Sequence, residues 1–196
     1  MDTIFNRRSI RKFQDKPVPI ELLNKILVAG QIAPSAKNRQ PWKYIVLGNE
    51  HKKEFLNAME VGIQREEQGI TKLPKSQHGI PDAKNTLKIM WEAPVVIAVI
   101  NTNAKSPFLP TDNDERFTEL CDSLSIGASI ENMLLTAEEL GLGTLWIANT
   151  CFAYQELTTY LDTEQQLICA IAIGYANENP KQRPRKMLSE IVEYWL

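Results

Sequence analysis

The chain has 196 residues, and its 22 basic and 24 acidic side chains leave a formal net charge of −2. Hydrophobic residues make up 43% of the sequence, which is typical of a globular protein and excludes disordered, collagen-like and coiled-coil chains. The apolar runs are far shorter than the roughly 20 residues of a membrane-spanning helix, and no signal-peptide pattern is present. We therefore expect one domain, residues 1–196, in the cytoplasm and without a membrane partner.

The predicted elements alternate between amphipathic helices and short apolar strands. The first half of the chain contains a helix over 20–33, a strand over 43–47, and helices over 51–67 and 82–91. The run 95–100 is apolar and rich in β-branched residues, as in a strand that is buried on both faces. The second half contains a helix over 115–140, a strand over 144–148, a short helix over 153–161 and a buried strand over 167–173. This order predicts an α/β or α+β fold.

The longest predicted helix, 115–140, has an apolar stripe that includes Phe117, Leu120, Cys121, Leu124, Gly127, Ile130, Met133, Leu134 and Ala137. The small residues Gly127, Ala128 and Ser129 lie inside it, although a glycine costs a helix about 1 kcal/mol relative to alanine. They indicate either close approach by another helix or a cofactor, or tight packing within the domain.

Cysteine and histidine are scarce. Cys121, Cys151 and Cys169 are far apart and form no Cys-x-x-Cys motif, which is typical of reduced, mostly buried thiols. The chain has only 2 histidines, too few for a multi-histidine zinc site, so we expect no metal. An enzyme with so few catalytic side chains would leave the difficult chemical step to a bound cofactor.

Charge is distributed unevenly along the chain. Residues 1–43 contain nine basic and three acidic residues, residues 44–180 contain nine and nineteen, and residues 181–196 contain four and two. The two basic ends are either solvated or converge on one anionic group. The acidic middle would repel a phosphate backbone, so we expect no nucleic-acid partner.

The common phosphate-binding motifs are missing. Gly141-x-Gly143 is followed by Trp146 where a dinucleotide-binding motif has a third glycine, and there is no P-loop. A phosphate would therefore be held by side chains, for which the planar fork of arginine is well suited. Arg7 and Arg11 are four residues apart and would share one face of a helix, with Ser9 between them.

A second polar segment, residues 33–42, combines two prolines with small and amide side chains. Segments of this composition usually only turn the chain, but the amides could also recognise the edge of a heteroaromatic ring.

Together these segments resemble the FMN-dependent nitroreductase family, in the family's order and over nearly the whole chain. The blocks that carry the resemblance are Arg7-Arg8-Ser9-Ile10-Arg11-Lys12-Phe13, Ala33-Pro34-Ser35 with Asn38 and Gln40-Pro41-Trp42, Ile130 to Leu135 with Leu140 to Gly143 and Trp146, and Ile173-Gly174-Tyr175 with Pro180 to Arg185.

The resemblance implies an α+β fold with a central, mostly antiparallel sheet flanked by helices, in an intertwined homodimer that holds FMN between its subunits. It also implies a ping-pong reaction in which NADH or NADPH is the reductant and a nitroaromatic, quinone or similar small molecule is the acceptor. The flavin would carry the chemistry, so no catalytic side chain is expected. The alternatives are a specialised flavoenzyme of the same fold, such as a dehalogenase or enone reductase, a non-catalytic FMN-binding module, and a phosphate-ligand binding protein without flavin.

The resemblance further implies a set of cofactor-binding residues. The expected contacts of the FMN phosphate and ribityl chain are Arg7, Arg8, Ser9 and Arg11, with Arg183 and Arg185 from the tail and Lys181 nearby. The loop expected to reach the flavin from the partner subunit contributes Pro34, Ser35, Ala36 and Asn38. The polar edge of the ring would face Asn85 and Lys88, and the segment passing the ring near N5 is Ile147, Ala148 and Asn149.

Two features depart from the family pattern. Glu131 occupies a position where glutamine is expected, close to the proposed flavin. Residues 64–81 form a polar insertion, which we interpret either as a lid over the pocket or as a disordered surface loop.

Overall fold

The computed structural model describes residues 2–196, which form six α-helices, four β-strands and four short 3₁₀ helices. The helices are α1 (Asp2–Asn6), α2 (Ile20–Gln31), α3 (Asn49–Glu67), α4 (Ile80–Glu92), α5 (Asn113–Glu139) and α6 (Tyr154–Tyr160). The strands are β1 (Trp42–Leu47), β2 (Val95–Lys105), β3 (Gly143–Ile147) and β4 (Gln165–Gly174). The 3₁₀ helices are Ala36–Asn38, Pro74–Gly79, Asn149–Ala153 and Leu188–Glu190. Among these helices, none is both long and apolar enough to cross a membrane.

The four strands form one sheet in the order β1-β2-β4-β3, and each neighbouring pair is antiparallel. The central strands β2 and β4 run in register from the pair Val95 and Ile173 to the pair Val99 and Cys169. This confirms the predicted α+β fold with an antiparallel sheet.

Helices cover both faces of the sheet because the central strands are apolar on both faces. Along β2, the side chains of Val96, Ala98 and Ile100 pack in one core cluster with residues of α3, α4 and α6. The alternate side chains Val95, Ile97 and Val99 pack in a second cluster with residues of α2 and α5. The prediction that the run 95–100 is buried on both faces is therefore confirmed.

All nine predicted elements are present, and most of their ends lie within two residues of the predicted ones. The main differences are that β2 continues to Lys105 and that β4 begins at Gln165. All but one of the added residues are polar, so periodicity did not include them, but some of them pair across the sheet: Asn101 Nδ2 donates to Gln166 Oε1 at 3.3 Å. The short helix α1 was not predicted, because it has no buried residue to mark its inner face.

The apolar stripe of α5 is only half buried. Its C-terminal half belongs to the core, where Ile130, Met133 and Ala137 are fully buried. In its N-terminal half, Phe117, Leu120 and Leu124 are 70%, 54% and 69% exposed. This half therefore presents an apolar surface to the outside of the chain.

The three cysteines differ in exposure, which corrects the expectation of mostly buried thiols. Cys121 is exposed on α5, Cys151 is half-buried and Cys169 is buried in β4. Burial raises the pKa of the Cys169 thiol to about 12.

Gly127 does not mark a close approach within the chain. A Cβ added there would lie 3.9 Å from the nearest atom of Trp146, an ordinary van der Waals distance. The tight approach between α2 and α5 occurs instead at Gly30, where an added Cβ would lie 2.8 Å from Met133 Cγ. Tight packing within the domain is therefore wrong for Gly127, but it holds for Ser129, which is fully buried and hydrogen-bonded to Tyr44 of β1.

Residues 64–81 are ordered, which excludes the disordered surface loop among the two interpretations of this segment. They comprise the end of α3, a turn and the 3₁₀ helix Pro74–Gly79, which leads directly into α4. Gly79 packs against Phe152, since a Cβ added there would lie 2.9 Å from Phe152 Cζ. The segment is therefore joined to the region that follows β3.

The buried carboxylate of Glu66 holds this segment together. Its side chain has no exposed surface, and Oε1 accepts hydrogen bonds from Arg65 Nη1 at 2.7 Å and Lys72 N at 2.9 Å. Its other oxygen accepts from Thr71 Oγ1 and from Gln77 Nε2, the latter at 3.1 Å. Burial alone would raise the pKa of Glu66, but these hydrogen bonds outweigh burial and lower it to about 2.

We predict that Glu66→Gln lowers the free energy of unfolding by about 3 kcal/mol at pH 7, because it removes the charge from a buried, fully paired carboxylate. The depressed pKa makes the stabilisation complete above about pH 4.3, the ordinary glutamate value, and it is lost as pH falls through about 2. Urea unfolding at several pH values measures both effects.

The matched control is Glu67→Gln, the neighbouring glutamate, which forms an exposed pair with Lys84. It should change the free energy of unfolding by less than about 1 kcal/mol. Equal unfolding curves for Glu66→Gln and the unaltered protein at pH 7 would contradict the assignment.

Candidate functional site

The N-terminal basic segment lies along the outer edge of β3. Helix α1 ends at Asn6, after which Ser9 pairs with Thr144 in a parallel bridge and Ile10 N donates to Thr144 O at 2.9 Å. The segment is therefore not helical, and the expectation that Arg7 and Arg11 share a helical face is wrong, because its backbone is bonded to a strand. In an extended segment alternate side chains share a side, so the geometry still groups residues 7, 9 and 11.

Gly143 allows this segment to approach the sheet. A Cβ added at Gly143 would lie 2.6 Å from Ile10 Cγ1, a distance that real Cβ atoms do not show. Ile10 is 5% exposed, so its side chain has little freedom to move away. The small residue at the start of β3 thus sets the position of the neighbouring arginines.

The guanidinium groups of the three arginines meet a single carboxylate among the described residues. Arg7 Nε lies 3.2 Å from Glu131 Oε1, although the pair is not aligned as a hydrogen bond and this buried nitrogen has no other acceptor. The guanidinium groups of Arg8 and Arg11 donate only to main-chain oxygens nearby in sequence, while the main-chain N of Arg11 donates to Glu178 Oε1 at the beginning of the tail. The segment therefore carries an excess of positive charge beside β3.

The beginning of the C-terminal tail lies next to the same segment. Asn177 N donates to Lys12 O at 2.9 Å, and Gln14 Nε2 donates to Ala176 O at 2.8 Å. The N-terminal segment and the beginning of the tail, up to Glu178, thus lie side by side. Beyond it, no hydrogen bond or ion pair of residues 2–196 joins Lys181, Arg183 or Arg185 to the N-terminal segment, and all three are exposed.

The end of β3 lies against α4. Asn149 Nδ2 donates to Asp82 Oδ2 at 2.8 Å and to Thr86 Oγ1 at 2.9 Å, which fixes the chain after Ile147 on this helix. Ala148, which lies between Ile147 and Asn149 in the sequence, is exposed, whereas Ile147 is buried. The structure therefore brings the predicted segment 147–149 to the helix that carries Asn85 and Lys88.

Asn85 and Lys88 lie on the outward face of α4. Both are exposed and, among the hydrogen bonds and ion pairs of the described chain, neither side chain takes part in one. They are three residues apart, so they are neighbours on the helix surface. Lys88 also lines a cavity of about 310 Å³ between α3 and α4, together with Glu60 and Glu67.

The two parts of the candidate site are separated by the length of β3. Thr144 marks the bridge with the basic segment and Ile147 the other end, and three residues of a strand span about 10 Å. The arrangement is an elongated surface with three arginines at one end and, at the other, the helix that carries Asn85 and Lys88.

The loop of residues 34–41 lies against α5 rather than beside the basic segment. Ser35 Oγ accepts from Gln40 N at 3.0 Å, and Ala36 N donates to Ser125 Oγ of α5 at 3.2 Å. Within residues 2–196, no polar contact joins this loop to Arg7, Ser9 or Arg11. The predicted residues Pro34, Ser35, Ala36 and Asn38 are thus near one another but not near the basic segment.

One polar feature of this region was not predicted. The fully buried Asp122 of α5 accepts two hydrogen bonds from Arg39, whose Nε and Nη2 lie 2.9 and 2.7 Å from Oδ1. The two residues are 83 positions apart, and no sequence motif connects them.

Residues 2–196 contain no group of three or more His, Cys, Asp or Glu side chains that could hold a metal ion. A cavity of about 570 Å³, lined by Phe108, Tyr154 and basic residues including Lys72, contains none of the predicted site residues.

A model of the nitroreductase family matches residues 4–175, a range that includes every predicted site residue outside the tail. The chain belongs to the nitroreductase family. Family membership explains why the basic segment, the loop of residues 34–41 and the end of β3 occur in this order.

Relatives and solved structures agree with this membership. A protein of Methanothermobacter thermautotrophicus, provisionally named NADH dehydrogenase/NAD(P)H nitroreductase, is 29% identical over 189 residues, covering 93% of this chain and 80% of its own. Iodotyrosine deiodinase from Hydra vulgaris is 26% identical over 196 residues, covering 95% of this chain and 69% of its own. A provisionally named nitroreductase from Desulfovibrio desulfuricans, crystallised with FMN, superposes with a TM-score of 0.72 at 25% identity, covering 100% of this chain and 96% of its own. The nitroreductase-like fold is thereby confirmed.

We predict that Gly143→Ala lowers the free energy of unfolding by about 1–3 kcal/mol, because the new methyl group overlaps Ile10. Gly127→Ala is the control: its methyl group meets only Trp146, at 3.9 Å, so it should be neutral or stabilise α5 by up to about 1 kcal/mol. Urea unfolding compares the two, and equal stability of both variants would contradict the close packing at Gly143.

Proposed function

We propose that the protein is an FMN-dependent oxidoreductase that takes hydride from NADH or NADPH and reduces a small organic acceptor. The observation that carries the proposal is the excess of arginine beside β3, about 10 Å from the other end of the same strand, after which Ala148 is exposed. The FMN complex of the similar Desulfovibrio desulfuricans structure supports it.

The residues present fit FMN. A phosphate needs several charge-assisted donors, and Arg7, Arg8 and Arg11 supply guanidinium groups. In the described chain only the Arg7 guanidinium is paired with a carboxylate, and the Glu178 carboxylate accepts from the main-chain N of Arg11. Arg7 Nε is moreover a buried donor without an aligned acceptor. In this proposal these arginines and Ser9 hold the phosphate and ribityl chain, with Arg183 and Arg185 completing the site from the tail.

At the other end of β3, Asn85 and Lys88 would hold the polar edge of the flavin, and residues 147–149 would pass beside its ring. The bound cofactor would supply hydride acceptance from NADH or NADPH and electron delivery to the acceptor. Lys88 would stabilise negative charge at the ring edge, because an opposite charge favours the charged form of a group. The chain itself would bind, orient and shield, so no side chain needs to act as an acid or base.

We further propose that two copies form the working unit, each a single domain of residues 1–196. Phe117, Leu120 and Leu124 expose a continuous apolar face on α5, and Tyr194 and Trp195 of the tail are 72% and 88% exposed. Such patches mark interaction surfaces. A homodimer would cover them and bring Pro34, Ser35, Ala36 and Asn38 of one subunit to the flavin of the other.

The proposed reaction is ping-pong: the reductant and the acceptor occupy the same place in turn. Nitroaromatics and quinones are the proposed acceptors, since the Methanothermobacter thermautotrophicus relative is provisionally named a nitroreductase. The second candidate is a reductive dehalogenase, which the likeness to iodotyrosine deiodinase favours. A screen of nitroaromatics, quinones and halogenated phenols separates the two.

We predict that the purified protein is yellow, with absorption bands close to those of free flavin, and that NADH or NADPH bleaches it under argon. Steady-state rates with a nitroaromatic or quinone should give parallel double-reciprocal lines as expected for alternating use of one site. A colourless protein that does not take up added FMN would refute the proposed function. A yellow protein that is not reduced by either nicotinamide would instead indicate a non-catalytic FMN-binding module.

We predict that Arg7→Ala and Arg11→Ala each weaken FMN binding about 10- to 150-fold, because each removes a charge-assisted contact of about 1.5–3 kcal/mol. Fluorescence titration with FMN measures the dissociation constant. Lys75→Ala, which removes an exposed cation from the 3₁₀ helix Pro74–Gly79, is the control and should bind like the unaltered protein. Unchanged affinity in both arginine variants would refute the phosphate assignment.

A further inference from the structure

The ion pair between Arg39 and Asp122 joins the loop of residues 34–41 to α5. Arg39 donates from Nε and Nη2 to Oδ1 of Asp122, at 2.9 and 2.7 Å. The other carboxylate oxygen, Oδ2, accepts from Asn103 Nδ2 of β2 at 3.1 Å. Both oxygens of a carboxylate with no exposed surface are thus bonded, one to the loop and one to the sheet.

The loop needs such an anchor because its backbone is unfavourable. Lys37, Asn38 and Gln40 have φ values of 54°, 54° and 48°, a left-handed region that residues with a side chain rarely adopt. Three such residues in a stretch of four persist only where the surroundings impose the conformation.

Two contacts with α5 impose it. Besides the pair of Arg39 with Asp122, Ala36 N donates to Ser125 Oγ at 3.2 Å. Asp122 and Ser125 are three residues apart and lie on the same face of the helix. The stretch between these contacts contains Asn38, and Ser35 directly precedes it.

The part of α5 that holds the loop is itself held by polar contacts. Gln166 Nε2 of β4 donates to Glu119 Oε1, one turn before Asp122. On the outside of the same stretch, Leu120 and Leu124 are exposed. Asp122 therefore connects the loop and the sheet to α5, the helix that carries the proposed dimer face.

We infer that Arg39 and Asp122 are positioning residues for the FMN site of the second subunit: their ion pair holds Ser35, Ala36 and Asn38 in the conformation that the partner's flavin requires. This inference rests on the proposed function. The inference assigns neither residue a contact with the cofactor, because the two side chains are engaged with each other.

The test follows FMN release from the purified holoenzyme after dilution, through the rise of flavin fluorescence. Arg39→Gln should release FMN about 10-fold faster than the unaltered protein, and Arg39→Lys, which keeps the charge without the bidentate fork, should be intermediate. Lys37→Gln removes an equal charge from the same loop without touching Asp122 and should release FMN at the unaltered rate.

Two further variants test whether the pair acts as a unit. Asp122→Asn should accelerate release as Arg39→Gln does, and the double variant Arg39→Gln/Asp122→Asn should be no faster than either single variant. Additive acceleration would show that the residues act independently and would overturn the inference.

Mixed dimers test whether the pair acts across the subunit boundary. A dimer of one Arg39→Gln chain and one Arg7→Ala chain, isolated with two affinity tags, has one intact site and one site with both defects if the loop serves the partner. Half of the FMN should then leave at the unaltered rate. If the loop serves its own subunit, both sites are defective and no FMN leaves at the slower, unaltered rate. This result would overturn the inference.

A purely structural role gives a different result. Arg39→Gln would then lower the melting temperature while FMN release stays at the unaltered rate, and this outcome would also overturn the inference. If the unaltered protein neither retains nor takes up FMN, the proposed function fails first. If it retains FMN and the Arg39 and Asp122 variants release it at the same rate, only the positioning role fails.

Discussion

The structure depends on the antiparallel pairing of β2 with β4. These central strands are apolar on both faces, so neither face can be left in water and helices must cover both. Helices α3, α4 and α6 pack on one side and α2 and α5 on the other. Every feature of the candidate site is placed relative to this pair, because β1 and β3 can only add to its outer edges.

The edge of β3 is where the sheet meets the candidate site. A sheet edge presents unpaired backbone groups that natural proteins cover, and here the N-terminal segment covers it through Ser9 and Ile10. The same hydrogen bonds that protect the edge place three arginines beside the strand. Glu131 is the one departure from the family pattern that reaches this cluster, since it pairs with Arg7. Its charge would oppose a phosphate there while it holds the Arg7 side chain in place.

Two buried carboxylates, Glu66 and Asp122, hold irregular segments in place through hydrogen bonds where apolar packing does not. Glu66 binds the turn after α3, and Asp122 binds the loop of residues 34–41 and the end of β2. Both have no exposed surface, and both are fully paired, as a buried charge must be. Each holds an irregular segment in one conformation, which a surface ion pair could not do because water competes for its partners.

Most of the helices and strands, the fold class and the family could be predicted from the sequence, whereas the short helix α1 could not. Apolar periodicity gave helices and strands such as α2 and β2, and ordered motifs indicated the family, since both kinds of signal are local. Which segments contact one another could be seen only in the tertiary structure. The pairs Arg39 with Asp122 and Ser9 with Thr144 join residues distant in sequence, and such contacts leave no local pattern. The tertiary structure also decided that half of the apolar stripe on α5 is exposed, because a hydrophobic face looks the same in sequence whether it packs on its own core or awaits a second chain.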